Sequence, residues 1–306
     1  MLLYTMRSLI TSSSLFFLGI AAQASHTIDN PLPVITPQFN SPSTVWNDLS
    51  DALPVVPSRI EPFESGYSFA SCGAGTGDGV EEYDAYNIFY DDCPEPWQVC
   101  LHKDNGISLD SVAEMFGKVP VGFRQYVRDL TVGNNSVAFW KNTSLVMSPN
   151  FWRIYVIIHE STHAVDLLST ADLVAIDAGT YSYSQKWRDA YYSDKSVPTT
   201  GSNYLWEESF AEMGPRAFYD WYVEGGLANF QPNWNEFENQ LSTFKSLVGH
   251  RAQLGGNCEF RVANEPAVPT SSTSRRRRGP APDISFKSDI RVIRVPDNLP
   301  TFEYTG

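Results

Sequence analysis

The chain has 306 residues, which is enough for one large domain or two small ones. Its composition, 42% hydrophobic and 13% aromatic, can fill a sizeable core and excludes a wholly disordered chain. The formal net charge of −13 argues against nucleic acids and anionic membrane surfaces as partners.

Residues 1–24 are typical of a secretory signal peptide. Arg7 makes the start of this segment positive, an interrupted apolar stretch follows, and Ala22-Gln23-Ala24 fits the small-x-small cleavage rule. An N-terminal membrane anchor is the alternative interpretation. No later segment reaches the roughly 20 apolar residues of a membrane-spanning helix. We therefore expect a secreted, extracellular protein without stable membrane insertion, whose mature chain starts near Ser25.

The segments that follow are predicted to be an extended N-terminal arm, residues 25–62, and a main domain, residues 63–262. The arm is rich in Pro, Ser and Asn and has little periodicity. The domain opens with a loop-rich stretch. Leu109 to Phe116 then predicts a short helix that stops at Gly117, and a second helix is our interpretation of Gly122 to Leu130.

The cysteines of this exported chain predict two disulfides. They are Cys72, Cys93, Cys100 and Cys258. Four cysteines allow three pairings. Of these we favour Cys93–Cys100, which closes a short loop, together with Cys72–Cys258, which ties the front of the chain to the back.

The next region combines a predicted strand with two glycosylation sequons. Ser136 to Trp140 is apolar and β-prone, as expected of a strand. Sequons begin at Asn134 and Asn142, and both asparagines are predicted to carry glycans.

A strongly apolar helix is predicted after this strand. Ser148 is a favoured helix cap, and Pro149 suits the first helical position. Phe151 to Ser169 is nearly continuous in apolar residues. A helix that is apolar on most sides is a buried helix, and polar residues within it need partners or a function.

The C-terminal half of the domain is predicted to be mostly helical. Helical spacing and cap residues indicate three further helices, at Ser184–Tyr192, Tyr204–Met213 and Asn235–Val248. Gly214-Pro215 predicts a kink or restart of the second of these, which then runs on to a stop at Gly225-Gly226.

Residues 263–306 are predicted to be a flexible, basic and proline-rich tail. The run Arg275–Arg278 is interpreted as a solvated linker, with a processing site for a secretory-pathway protease as the alternative. Ile284 to Val295 alternates partly in hydrophobicity and indicates a strand.

The sequence His159-Glu160-Ser161-Thr162-His163 within the apolar helix predicts a zinc site. Residues four apart on a helix share a face, so both imidazoles can reach one Zn²⁺ at about 2.0–2.1 Å. Glu160 projects about 100° away from His159 and lies beside the metal without ligating it. That is the place of a general base that takes a proton from zinc-bound water. The alternative is a pair of core histidines without metal.

A third ligand is needed, because a catalytic zinc takes three protein ligands and leaves one position open. No supporting context surrounds the remaining histidines, His26, His102 and His250. Glu208 and Glu212 fit better, since they share a face of a predicted helix. One can bind the metal, and the other can orient a ligating histidine. Glu207 lies one position off this face, so we expect its replacement to be close to neutral. A solvated acidic face is the alternative.

The segment from His159 to Asp166, HESTHAVD, resembles the active-site helix of gluzincin metallopeptidases. Together with the segment Glu208–Glu212, ESFAE, it is similar to the catalytic domain of the anthrax lethal factor group, over roughly residues 136–225. The resemblance implies that Glu208 binds zinc and that Glu212 supports a histidine. The rest of the chain resembles secreted, zincin-like proteins of fungi.

The same resemblance implies a tyrosine shortly before the second motif, which would steady an oxyanion. The matching position without a gap is Gly201. Tyr204 lies nearby but out of register, and it is the candidate for this role.

The sequence therefore predicts an α+β, zincin-like fold with a small sheet above the buried metal-binding helix. The expected function is that of a secreted zinc metallopeptidase, which cleaves a peptide or protein substrate with Glu160 as general base. Asp166, one turn beyond His163, is expected to help order the ligands.

Two alternatives to this function stay open. One is a catalytically silent protein that keeps the zincin fold for binding or surface structure. The other is a deuterolysin-like enzyme with Asp172 or Asp177 as a ligand, although the Gly-Thr-x-Asp pattern of such enzymes is absent. The sequence gives no indication of the oligomeric state.

Overall fold

The computed structural model describes residues 27–36, 43–134, 138–141, 143–168, 180–229, 231–270, 291–293 and 301–303. Within these ranges a mixed β-sheet packs against a layer of helices, so the fold is α+β, as predicted. Several sequence predictions lie outside the described residues, namely those for the signal peptide 1–24, Asn142, Asp172, Asp177 and Arg275–Arg278.

The strands form one large and two small sheets. The large sheet contains β1 (Ser58–Pro62), β3 (Tyr83–Tyr90), β4 (Trp97–His102), β5 (Asp129–Val132), β6 (Ala138–Lys141), β7 (Ser144–Met147) and β11 (Thr301–Glu303). The small sheets pair β2 (Tyr67–Phe69) with β9 (Ala267–Pro269), and β8 (Phe260–Val262) with β10 (Arg291–Ile293). β6 confirms the strand that the sequence predicted in this region.

The α-helices of the described chain are α1 (Ser43–Ala52), α2 (Leu109–Gly117), α3 (Val121–Arg124), α4 (Ile154–Leu168), α5 (Gln185–Ser193), α6 (Trp206–Ala211), α7 (Met213–Tyr222) and α8 (Glu238–Val248). None of them combines the length and the apolar character that crossing a bilayer requires. α2, α5 and α8 confirm the helices that the sequence predicted near residues 109, 184 and 235. α2 and α5 are capped by the hydroxyls of Ser108 and Ser184, respectively.

The large sheet has the order β1-β3-β4-β5-β7-β6-β11, with parallel pairing at its centre. α2 and α3 form the crossover from β4 to β5, which parallel strands require. All residues of β5 are buried, as in strands covered on both faces. The single helix predicted for Gly122 to Leu130 is therefore wrong. α3 ends at Arg124, and a central strand begins at Asp129 because its apolar residues fill the middle of the sheet.

α4 lies at the centre of the helical layer, and it confirms the predicted buried helix. Every residue from Val156 to Asp166 is buried. α4 contacts β6 of the sheet and the helices α1, α2, α3, α6 and α7. Its start differs from our expectation. Pro149–Phe151 forms a separate 3-10 turn without a side-chain cap from Ser148, and α4 begins only at Ile154.

α6 and α7 are two helices where the sequence predicted a kink or restart. Gly214-Pro215 lies in the first turn of α7, where proline's missing N–H leaves no helical hydrogen bond unmade. Glu212 lies between the two helices with helical backbone angles, and α7 ends at Tyr222, shortly before Gly225-Gly226.

Residues 25–62 differ from the extended arm that we expected, because they contribute α1 and the edge strand β1. Ile28 and Ile35 are buried, and their backbone N–H groups donate to the carbonyl oxygens of Tyr204 and Val197. The segment around residues 27–36 is thus bound to the loop that precedes α6. At the other end of the chain, the predicted tail contributes β9, β10 and β11.

Two disulfides form, as predicted, but they join Cys72 to Cys100 and Cys93 to Cys258. The predicted pairing is wrong because β4 carries Cys100 away from the turn that holds Cys93. Cys100 instead lies in a buried cluster with Cys72. The backbone N–H of Cys258 donates to the carbonyl oxygen of Asp92, which places Cys258 beside Cys93.

Candidate metal centre

Two histidines from α4 and one glutamate from α6 converge on a single point. His159, His163 and Glu208 each offer a ligand atom, and these atoms lie within 4.8 Å of one another. The Nε2 atom of His159 is 3.2 Å from one carboxylate oxygen of Glu208, and the Nε2 atom of His163 is 3.4 Å from the other. The three residues that the sequence selected are therefore brought together.

These distances fit the dimensions of a zinc site. Ligand atoms at about 2.0–2.1 Å from a tetrahedral Zn²⁺ are about 3.3 Å apart. The two measured separations, each from one histidine to a different carboxylate oxygen of Glu208, lie close to that value. All three side chains are at most 3% exposed, so few water molecules compete for the ligand atoms.

Glu160 supports the fit of a cation at this point. It is completely buried on α4, and within the described part of the chain its two carboxylate oxygens have no hydrogen-bond partner. A buried carboxylate without a donor is costly, so one is expected to have a ligand or a role. Zinc and the water beside it are what this carboxylate would meet.

Glu212 and Arg216 form the outer part of the cluster. Glu212 lies between α6 and α7, and its carboxylate is 4.0 Å from Nδ1 of His159. Arg216 forms a buried ion pair with the same carboxylate and donates to the backbone oxygen of Glu212 at 2.8 Å. The Glu212 carboxylate therefore lies on the Nδ1 side of the His159 ring. The part played by Arg216 was missed, although its i,i+4 spacing from Glu212 is a readable signal.

The protein's own charges in this cluster do not balance. Glu160, Glu208 and Glu212 supply three carboxylates, whereas Arg216 supplies one guanidinium. With neutral histidines, two negative charges are left over, which is the charge that one divalent cation neutralises. Buried charge of this size needs a partner.

The pKa values of the histidines and glutamates in this cluster reflect the same excess of negative charge. Burial lowers the pKa of His159, but the nearby Glu208, Glu212 and Glu160 outweigh burial and raise it to about 9. Burial raises the pKa of Glu160 to about 8, against the opposing charge of His159. Burial lowers the pKa of His163. Burial would also raise the pKa of Glu208, but the two histidines hold it below its usual range.

Two further predicted residues lie elsewhere. Asp166 is buried and accepts a hydrogen bond from the backbone N–H of Ser182 at 2.9 Å, so it ties α4 to the 3-10 helix Tyr181–Tyr183. Burial raises the pKa of Asp166 to about 7. Tyr204 is 60% exposed, outside the buried cluster, so the structure gives no support to a role for it in stabilising an oxyanion.

A close approach of two helices was also missed. A Cβ atom at Gly214 of α7 would clash with the Thr162 hydroxyl oxygen on α4. That hydroxyl donates to the backbone oxygen of Ile158 at 2.7 Å. Glycine at this position therefore lets α7, which carries Arg216, lie close to α4 without displacing Thr162.

Comparison with known proteins identifies a family. The family model "Conidiation-specific protein Con-13" matches residues 78–271, which include all the ligand candidates and most of the large sheet. The chain is also similar to conidiation-specific protein 13 of Neurospora crassa, with 29% identity over 193 residues. This alignment covers 58% of the chain and 52% of the relative, so it spans about half the relative's length.

These matches correct our recognition of a zincin metallopeptidase. The family that matches is named for conidiation-specific proteins and not for peptidases. The assignment as a peptidase is therefore wrong as an inference from family. The physical reason is that two short motifs fix the geometry of a few side chains, whereas family membership is carried by the whole of residues 78–271.

Proposed function

The chain belongs to the Con-13 family, and from the geometry of its buried His-His-Glu cluster we propose that it binds one zinc ion and supports hydrolysis at the bound metal. His159, His163 and Glu208 are the proposed ligands. The observation that carries the proposal is the convergence of their ligand atoms within 4.8 Å in a buried site. Two neutral imidazoles and one carboxylate are a donor set that zinc prefers, and they leave a fourth position open.

The protein's own groups have distinct tasks in this proposal. Zinc, when bound, lowers the pKa of water and polarises the bond to be cleaved. Glu160 accepts a proton from the attacking water and returns it to the leaving group. The Glu212–Arg216 pair holds His159 in orientation.

The setting of this activity is part of the proposal. We propose a zincin-like arrangement of the sheet above α4, and secretion, with which the two disulfides are compatible. The name of the Neurospora crassa relative ties that protein to conidiation, and we propose the same process for this chain. Accumulation of the protein independent of asexual sporulation would argue against that role.

Metal analysis of the purified mature protein tests the site. We expect about one zinc per chain in wild type and a loss of zinc in His163→Ala. His250→Ala is the matched control, because it removes an imidazole outside the cluster and should keep the metal. Zinc content equal in wild type and His163→Ala would overturn the proposed site.

Hydrolysis is tested with a library of esters, amides and peptides, so that a peptide or protein substrate is one arm among several. Glu160→Gln should keep zinc but lose nearly all turnover, since this residue is a base and not a ligand. Turnover that is equal in wild type and Glu160→Gln would refute the role of Glu160.

A second candidate function is a non-catalytic zinc protein. It is favoured by the burial of the centre, where His159, Glu160 and His163 are at most 1% exposed. In that case zinc stabilises the fold. Removing the metal with a chelator would then lower the melting temperature sharply, while zinc-loaded wild type would cleave nothing in the library.

A further inference from the structure

α6 is a short helix with two buried faces. Glu208 and Ala211 lie on one face, which is turned toward α4. Glu207 and Phe210 share a second face, about 100° away. A helix of six residues is too short to be stable by itself, so its neighbours must set its rotation about its axis.

The second face rests on the 3-10 helix Tyr181–Tyr183 and on α5. The ring of Phe210 lies 5.9 Å from that of Tyr181 and 4.9 Å from that of Trp187. Glu207 is 1% exposed, and its carboxylate accepts a hydrogen bond from the Tyr183 hydroxyl. A hydrogen bond from a hydroxyl to a carboxylate is directional and strong, whereas ring packing tolerates small rotations. The Tyr183–Glu207 bond is thus the more specific constraint.

The 3-10 helix is in turn attached to α4. The backbone N–H of Ser182 donates to Asp166, which lies one turn beyond His163 on α4. The connection therefore runs from α4 through Asp166, Ser182, Tyr183 and Glu207 to α6. The two helices that supply ligands are thus also joined indirectly, through the 3-10 helix Tyr181–Tyr183.

Small rotations of α6 would misplace the third ligand. A group on the surface of a helix lies about 5–6 Å from the axis, so a rotation of about 20° moves it by about 2 Å. Ligand distances in a metal site are held within about 0.2 Å. The direction of Glu208 therefore has to be fixed from outside α6.

We propose that the hydrogen bond from Tyr183 to Glu207 positions Glu208 as a metal ligand. Glu207 and Tyr183 are positioning residues in this inference, which rests on the proposed zinc site. It replaces our expectation that Glu207 is close to neutral.

The test measures zinc affinity of the full mature protein by competition with a chelator. Tyr183→Phe and Glu207→Ala should each weaken zinc binding by about 10–100-fold, the range for groups that orient a ligand. Glu207→Gln keeps an acceptor oxygen and should stay within a few-fold of wild type. The visible absorption of the Co²⁺-loaded protein should change in Tyr183→Phe, since it reports the ligand geometry and not the stability of the fold.

Tyr222→Phe is the matched control. Its hydroxyl donates to the backbone oxygen of Ala252, so the substitution removes the same atom from a tyrosine whose hydrogen bond involves none of the proposed ligands. Tyr222→Phe should lose stability without losing zinc affinity. Equal affinities in Tyr183→Phe and Tyr222→Phe would overturn the inference alone. A wild type that binds neither zinc nor cobalt would overturn the proposed function, and the inference with it.

Discussion

Two clusters of buried charge lie in different parts of the molecule. The first, the sheet cluster, belongs to the large sheet and lies where β5 and β7 begin. The Arg128 guanidinium is 2.8 Å from Asp129 and 2.8 Å from Glu265. The hydroxyl of Ser144 accepts from Arg128 at 3.2 Å and donates to Asp129 at 3.0 Å. Each charge in this cluster has an oppositely charged partner within the protein.

The second, the helix cluster, lies between α4, α6 and α7, and not all of its carboxylates have an oppositely charged partner. Arg216 pairs with Glu212, but Glu160 and Glu208 have no guanidinium or ammonium partner among the ion pairs of the described residues. Glu208 faces two histidines, which are good partners for a carboxylate only when they are protonated.

The difference between the clusters indicates that the first stabilises the fold and that the second is suited to binding a cation. In the sheet cluster each carboxylate contacts the guanidinium of Arg128, so no buried carboxylate there lacks an opposite charge. A cluster with two surplus negative charges, lined by imidazoles, is one that a divalent cation completes. The following predictions test whether the two clusters respond as differently as this comparison requires.

Removing a ligand from the helix cluster should have the largest effect. Glu208→Ala should weaken zinc binding by more than the roughly 100-fold that the loss of a merely orienting partner costs. Competition with a chelator measures the affinity. Glu238→Ala is the control, because it removes an exposed glutamate from the first turn of α8. Zinc affinity that is the same in both variants would break the comparison.

Removing the cation of the sheet cluster should damage the fold without touching the metal. Arg128→Ala leaves Asp129 and Glu265 without their counter-charge, and we expect a loss of about 3 kcal/mol in the free energy of unfolding. Urea denaturation measures it. Arg59→Ala is the control, because the Arg59–Glu61 pair is 60% and 50% exposed and should be close to neutral. Loss of zinc from folded Arg128→Ala would contradict the separation of the two clusters.

The convergence of the ligands was predictable because its signals are local in sequence. His159 and His163 lie one turn apart on a single helix, so their common direction follows from helical geometry alone. Glu208 and Glu212 are likewise adjacent on one surface. The approach of α6 to α4 is a tertiary contact, and it entered the prediction through the resemblance of the two motifs.

The sheet cluster and the disulfides could not be predicted in the same way. Arg128 meets Glu265 only because the segment that contains Arg261 and Glu265 folds back against the start of β5 from far along the chain. Cys93 finds Cys258 for the same reason. Such pairings depend on strand order, which hydrophobic patterns do not specify. The burial of Asp129 likewise follows from its central strand, where we expected a helix.

Arg216 and Glu212 form a buried ion pair in the helix cluster, as Arg128 and Asp129 do in the sheet cluster. Arg216→Ala would release the Glu212 carboxylate from the position beside His159 in which Arg216 holds it, so we expect zinc affinity to fall by about 10–100-fold. Lys245→Ala is the control. It removes the cation that pairs with Asp220, further along α7, and should leave zinc affinity unchanged. Equal affinities in the two variants would show that Arg216 is a structural partner only.

The smallest expected effect concerns the close approach of α7 to α4. Gly214→Ala places a methyl group against the Thr162 hydroxyl, so either that side chain or the helix must shift. We expect a loss of about 1–3 kcal/mol in the free energy of unfolding, as for an overpacked core. Because Glu212 and Arg216 move with α7, zinc affinity should fall in parallel. Gly256→Ala is the control, since its Cβ would meet its nearest neighbour at 3.6 Å. A Gly214→Ala protein that loses stability but binds zinc as tightly as Gly256→Ala would mean that α7 braces the fold and not the centre. Zinc affinity would then depend on the charges of the cluster and not on how closely α7 packs against α4.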